Sequence, residues 1–307
     1  MKFDYEVAIV GAGAAGYAAA IYAGRSGASV VVFDKGMGGG LTIEAPKVEN
    51  YPGFKSISGM ELMEKMKEHA KDYAELKFGE EVKKLSVSNE GVEIETTRSK
   101  YFVGAVILCT GSQHRKLGVK GEDEFAGRGV SYCATCDGFF FKGKKVVVVG
   151  GGNSAIIEAI YLKQIGCDVS VIHRRDKLRA EKALEEEAKE KGINFIWNSI
   201  VEEIIGDDFV KAVKIKNVKT GEEKVIATDG VFISIGEEPQ NELAKQVGIK
   251  LDENGYIITD EMGRTNVKRV FAAGDVTGGV RQIITACAEG AKAALAAMEA
   301  IGKTSPF

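Results

Sequence analysis

The chain has 307 residues, long enough for two domains each with its own core. Lys plus Arg is 41 and Asp plus Glu is 44, a formal net charge of −3, which gives no electrostatic reason for a nucleic acid or anionic membrane as partner. The longest apolar runs, such as "VVVV" and "AVIL", are strand-length and far short of the roughly 20 residues of a membrane helix. The N-terminus runs straight into a strand and a glycine turn, so no signal peptide is expected. Five cysteines, an odd number in a chain of this size, argue against a structural disulfide framework and for a reducing, cytoplasmic setting.

The first elements lie in "YEVAIVGAGAAGYAAAIYAGRSGASVVVFDK", which reads strand, glycine turn, helix, strand. Gly11, Gly13 and Gly16 form G-x-G-x-x-G. Gly11 permits the tight turn, Gly13 lets a pyrophosphate approach the backbone, and Gly16 lets helix and strand pack closely. Ala18, Ala19, Ala20 and Ala23 keep that helix thin against a sheet. The second strand ends in Asp34, 23 residues after Gly11, where an acid accepts hydrogen bonds from ribose hydroxyls. Further on, "GMELMEKMKEHAKDYAE" is a helix on which Leu62, Met66, His69 and Tyr73 share a face, with His69 expected as a hydrogen-bonded packing residue.

Mid-chain, "SYCATCDGFFFKGK" carries Cys133 and Cys136 three residues apart, with Asp137 directly after. A zinc half-site needs a second pair of ligands. Cys109, Cys167, Cys287, His69, His114 and His173 supply none at suitable spacing, so no metal is expected. The remaining reading is a dithiol that cycles with a disulfide. Asp137 is then a candidate proton donor to a leaving thiolate, and also an Asp-Gly turn residue.

Next comes a second fingerprint, "KKVVVVGGGNSAIIEAIYLKQIGCDVSVIHRRDKLR". Gly150 and Gly152 take the first two glycine places and Ala155 the third. The residue 23 positions after Gly150 is His173, not an acid, and Arg174, Arg175 and Arg179 follow. A carboxylate there repels a ribose 2′-phosphate, whereas guanidinium groups bind it through charge-assisted, often bidentate bonds. The alternative is that these arginines only open the amphipathic surface helix of "RDKLRAEKALEEEAKEKG". Opposite ribose chemistry at two turns points to two cofactors, FAD at the first and NADPH at the second, with hydride passing between them. Of the other cysteines, Cys167 reads as inert at a helix–strand junction and Cys287 as a small packing residue.

Taken together, "GAGAAG", "GGGLT", "VENYPGF", "ILCTG", "GRGVSYCATCDGFFFKGK", "GGGNSA", "HRRDKLRAEK", "VFAAGDV" and "RQIITACAEG" resemble the low-molecular-weight thioredoxin reductases of bacteria and archaea over nearly the whole chain. The resemblance implies an α/β fold of two Rossmann-like three-layer nucleotide-binding domains, the pyridine nucleotide-disulfide oxidoreductase class II arrangement, the second inserted into the first. The FAD domain is expected at 1–112 plus 242–307 and the NADPH domain, with the redox cysteines, at 113–241. The polar crossings "GSQHRK" and "GEEPQN" suit a hinge, because one domain carries both groups that need the flavin and must turn to present each.

The same resemblance implies that Gly11, Gly13, Ala14, Ala15, Asp34, Lys35, Gly40, Leu41 and Asn50 line the FAD site. Cys109, Thr110 and Gly111 lie beside the flavin, Asp275 binds its ribityl chain or pyrophosphate region, and Arg281, Gln282 and Ile283 close over it. Gly152, Asn153, Ser154, His173, Arg174, Arg175 and Arg179 serve NADPH. Cys136 is implied to face the flavin and Cys133 to attack the partner. The partner is a thioredoxin or glutaredoxin-like disulfide protein, and the enzyme a homodimer. Many relatives have a glutamine where this chain has Gly40, so one flavin contact is expected to be lost. The remaining alternatives are a reductase fed by NADH, ferredoxin or a deazaflavin, an NADPH oxidase that makes peroxide, and a flavoprotein that senses redox state without dithiol turnover.

Overall fold

The computed structural model describes residues 2–45 and 47–303. The chain divides into two compact units, Met1–Gln113 with Glu238–Phe307, and His114–Glu237. The second is therefore inserted into the first, with limits one and four residues inside those expected. The crossing segments Ser112–His114 and Glu237–Pro239 pair as a two-stranded ribbon.

In the first unit, four strands run parallel in the order Glu75–Phe78, Val30–Asp34, Tyr5–Val10 and Lys100–Leu108. The last of these splits its outer edge. Its first half pairs antiparallel with Val92–Thr96, and its second half pairs parallel with Val270–Ala272. The C-terminal segment is thus brought back beside the first glycine turn. Val7–Val10 and Val30–Phe33 are buried without alternation, as expected of a parallel strand covered on both faces. One face is covered by the helices Ala14–Arg25 and Ile283–Ala300, which pack through small residues: a Cβ built on Gly290 would lie 2.1 Å from the Ala15 carbonyl oxygen.

In the second unit, five strands are all parallel, in the order Asn194–Ile196, Asp168–Ile172, Lys145–Gly150, Gly230–Ser234 and Val130–Ser131. The helices Asn153–Gln164 and Lys182–Glu190 share one apolar cluster with this sheet. An antiparallel sheet of Ser199–Gly206, Val210–Asn217 and Glu223–Ala227 contributes Val201, Ile204 and Val213 to a second cluster. Among the described residues no helix is long and apolar enough to cross a membrane.

Two local expectations change. His69 is exposed and meets the Tyr73 ring edge-on at 5.8 Å, because it falls beyond the buried stripe of Leu62, Met63 and Ala70 on its helix. The helix after the second fingerprint begins only at Lys182, so Arg174, Arg175 and Arg179 lie on the loop before it rather than on its first turn.

Candidate functional site

The first glycine turn is built as its spacing predicts. Gly11 has φ +106°, and a Cβ there would lie 2.1 Å from the Cys109 carbonyl oxygen. A Cβ on Gly16 would lie 1.9 Å from the Gly11 carbonyl oxygen. Only glycine lets strand, turn and helix close so tightly. The helix Ala14–Arg25 starts from Gly13 with no side-chain cap, so the amide groups of Ala14 and Ala15 stand at an uncapped, positive helix end.

Asp34 does more here than its position alone suggests. Its Oδ2 accepts from the Ala12 amide at 2.8 Å and its Oδ1 from the Gly36 amide at 2.7 Å. It braces the turn while each oxygen keeps a further lone pair for a ribose hydroxyl. Lys35 is exposed and Leu41 half-buried. Gly40, at φ +57°, lies with its Cα 4.0 Å from a Cβ built on Gly13. Asn50 donates to the Gln282 side chain at 2.9 Å, joining two segments of the expected flavin site across 232 residues of sequence.

Cys109 is buried under the Gly11 turn, and burial pushes its thiol well above the usual range. Thr110 donates to the Gln240 carbonyl at 2.6 Å, and Gly111 accepts from the Gln240 amide at 2.9 Å. Asp275 opens a short 3₁₀ turn after Val270–Ala272. The preceding Gly274 amide donates to Glu289 at 2.8 Å. Arg281 donates to the Tyr256 hydroxyl at 2.9 Å. Gln282 caps the helix that starts at Ile283 in a reciprocal capping box with Thr285. Cys287, half-buried, lies 3.7 Å from the Ala14 carbonyl. The turn, Asp34, Gly40, Asn50, Asp275 and Gln282 thus all belong to one unit. Their glycine closures, uncapped amides and ribose acceptor fit a dinucleotide such as FAD.

The second turn repeats the cradle. The helix Asn153–Gln164 starts from Gly152, again without a side-chain cap, and Asn153 and Ser154 are exposed at its start. A Cβ on Gly150 would lie 2.3 Å from the Ser234 carbonyl oxygen. His173 is only 6% exposed. Its ring fills the space a side chain on Gly151 would need, with a built Cβ 2.2 Å from Nδ1, and it meets Trp197 edge-on at 6.3 Å. Burial lowers its pKa from the ordinary imidazole value, outweighing backbone hydrogen bonds with Lys177 and Gly150 that raise it.

The arginine loop is pinned to the glycine turn. The amides of Arg179 and Ala180 donate to the Gly151 carbonyl at 2.7 and 3.2 Å. Asn153 and Glu181 exchange two hydrogen bonds of 2.9 Å. Arg174, Arg175 and Arg179 are exposed, and none forms a salt bridge with a carboxylate among the described residues. Asp176, beside them, is taken by Lys219 at 2.7 Å.

Cys133 and Cys136 are joined as a disulfide, with Cα atoms 5.3 Å apart. Cys133 is the N-cap of the single turn Ala134–Asp137, and its carbonyl accepts from the Cys136 and Asp137 amides at 3.2 and 3.1 Å. The Asp137 Oδ2 accepts from the Ser131 hydroxyl at 2.7 Å, while its Oδ1 is buried without a hydrogen-bond partner. Burial raises the Asp137 pKa and the Ser131 bond lowers it. A carboxyl so placed holds its proton longer than a solvated one, as a proton donor must. Ser131, Glu289 and the Asn153–Glu181 pair were not legible beforehand, because each works through a contact that only the folded chain creates. Cys167 is buried, with Sγ 3.1 Å from the Phe141 carbonyl, and its environment offers no activating cation. No group of three His, Cys, Asp or Glu is arranged to hold a metal ion among the described residues.

Residues 5–290 match the pyridine nucleotide-disulphide oxidoreductase family. The thioredoxin reductase of Listeria innocua is 46% identical over 290 residues, covering 93% of this chain and 90% of that protein. That of Bacillus subtilis is 45% identical over 294 residues, covering 94% and 92%. The solved thioredoxin reductase of Streptococcus pyogenes superposes with a TM-score of 0.91 at 43% identity, covering 97% of this chain and 98% of that one. That of T. acidophilum gives 0.67 at 50% identity, covering 97% and 99%. With its two nucleotide turns and its bonded Cys-x-x-Cys pair, the chain belongs to the pyridine nucleotide-disulphide oxidoreductases and, within them, to the thioredoxin reductases.

Proposed function

We propose that this reductase takes electrons from NADPH and passes them through FAD and the Cys133–Cys136 disulfide to a thioredoxin or glutaredoxin-like disulfide protein. One observation carries the donor: three exposed arginines, without carboxylate partners among the described residues, stand on a loop hydrogen-bonded to the second glycine turn. A 2′-phosphate accepts charge-assisted, often bidentate bonds from such guanidinium groups, which is what supports NADPH as the donor. FAD, when bound, supplies a two-electron carrier that accepts hydride and reduces a disulfide.

The chain's own residues do the rest. The amides of Ala14 and Ala15 hold the pyrophosphate and Asp34 the ribose, Asp275 serves the ribityl chain or pyrophosphate region, and Asn50, Arg281 and Gln282 border the ring-bearing end. The second turn and its arginines orient NADPH. Asp137 gives a proton to one of the two sulfurs formed when the disulfide opens, and the other stays a thiolate that attacks the partner's disulfide. Cys136 is the flavin-facing sulfur and Cys133 the attacking one. The enzyme works as a homodimer in a reducing, cytoplasmic setting.

The test is NADPH oxidation by the flavin-loaded enzyme with the organism's own thioredoxin-like proteins, each added separately. Turnover with at least one of them, and much weaker turnover with NADH, is expected. Equal use of NADH, or turnover only with ferredoxin or a deazaflavin, overturns the donor. Flavin reduction with no disulfide turnover makes the protein a redox sensor instead.

A further inference from the structure

Next to the redox pair, one buried hydroxyl holds two groups in place. Ser131 is 5% exposed. It donates to Oδ2 of Asp137 at 2.7 Å and accepts from the Cys133 amide at 3.1 Å. A serine has a single hydroxyl proton, and the Cys133 carbonyl at 3.3 Å is the poorer acceptor. The proton therefore goes to Oδ2. Oδ1 is left buried with no partner at all. The two oxygens of one carboxyl are thus made unequal by one side chain.

We infer that Ser131 is a positioning residue for the disulfide chemistry, whose hydroxyl fixes Oδ2 of Asp137 to the Cys133 backbone and leaves Oδ1 as the oxygen that carries the transferable proton. This rests on the acid role proposed above for Asp137. The balance is simple. Opening the Cys133–Cys136 bond with two electrons, which originate in NADPH, leaves two anionic sulfurs. One takes the proton from Oδ1 and becomes a thiol, and the other remains a thiolate for attack on the partner. Asp137 is then a carboxylate away from water, and such a charge is costly unless a donor meets it. Ser131 is that donor. Without it the acid keeps its proton to higher pH and gives it up less readily. The titratable groups on the elements packed around this turn are Tyr132, Glu158, Tyr161, Lys163 and Cys167. The two influences on the Asp137 carboxyl are its burial and the Ser131 hydroxyl.

The experiment uses full-length, flavin-loaded enzyme as wild type, Ser131→Ala, Ser131→Thr and Asp137→Asn. Two readouts are taken across pH: reduction of the flavin by NADPH, and kcat for reduction of a thioredoxin-like disulfide protein. Ser131→Ala is expected to leave the first unchanged. It should lower the second about tenfold and move its alkaline limb to higher pH by about one pH unit. Ser131→Thr restores the hydroxyl and should restore both rate and limb. If Ser131→Ala loses NADPH-dependent flavin reduction through misfolding, Ser131→Cys is read in its place, since it fills similar space with a weak donor. Full disulfide reduction by Asp137→Asn overturns the acid role, and this inference with it. Loss in Asp137→Asn with an unchanged rate and limb in Ser131→Ala or Ser131→Cys overturns the Ser131 inference alone. A defect that Ser131→Thr fails to rescue also overturns it, since the hydroxyl is then not the cause.

Discussion

The two glycine turns share a backbone and differ in their side chains. Each ends a buried parallel strand, each starts a 12-residue helix, and each helix begins from an extended glycine without a side-chain cap. Such a start binds a pyrophosphate and says nothing about which nucleotide carries it. The difference lies 23 residues on. In the first unit that position is Asp34, whose two oxygens tie the turn to the strand end. In the second it is His173, buried beneath Gly151, followed by a loop of arginines pinned to the same glycine. In the function proposed above, the duplicated cradle supplies affinity and the end of the second strand supplies identity.

The largest break in this comparison removes what the second unit has and the first lacks. Cys136→Ser should abolish disulfide reduction, by far more than a hundredfold, and leave the flavin bound and reducible by NADPH. Stopped-flow flavin absorbance beside a thiol assay reads both halves, and residual thioredoxin reduction near the wild-type rate refutes the path. Next in size is the nucleotide choice. Replacing Arg174 and Arg175 by Ala removes two charge-assisted bonds worth about 1.5–3 kcal/mol each. The kcat/KM for NADPH should fall by about a hundredfold or more while that for NADH changes little. An unchanged NADPH/NADH ratio means that the arginines are solvent-exposed loop residues only.

The reciprocal change belongs to the first turn. Asp34→Ala leaves the Ala12 and Gly36 amides without their acceptors. FAD affinity should fall about tenfold or more, with the NADPH/NADH ratio unmoved. Flavin release followed by ultrafiltration and a coenzyme comparison on reloaded enzyme check both statements. If the ratio moves too, the two turns are not independent.

The smallest effect sharpens the account of Asp137. Burial raises its pKa in the folded protein above the unfolded value of about 3.9. The folded state thus holds this proton more tightly than the unfolded chain. The stability it contributes is full below the unfolded pKa and is lost as pH rises through the folded pKa. Asp137→Asn keeps an acceptor for Ser131 but carries no charge, so it should raise the Tm of the oxidised enzyme at pH 7–8. That gain should vanish toward pH 3. Thermal scans at several pH values decide it, and a gain that is equal at all pH values excludes ionisation as the cause.

Much of this protein was readable along the chain. The two turns, the alanine-rich first helix, the Cys-x-x-Cys and the arginines act through neighbours a few residues away. A glycine turn or a helix start is dictated by backbone sterics that local sequence carries. The insertion of one unit in the other was also readable, because the "AAGDV" segment has to return to the first turn, and Val270–Ala272 does so by pairing with Lys100–Leu108.

What only the tertiary structure decided was the set of partners for polar groups taken out of water. Nothing in the spacing tells that Asn50 meets Gln282, that Glu289 holds the Gly274 amide, or that His173 lies under Gly151. Nor does it tell that Ser131 reaches Asp137 and leaves its other oxygen bare, or that His69 faces solvent. A hydrogen bond between side chains is worth little in water and much in a dry site, so its role depends on burial. Burial is a property of the packed chain, and the linear order of residues does not contain it.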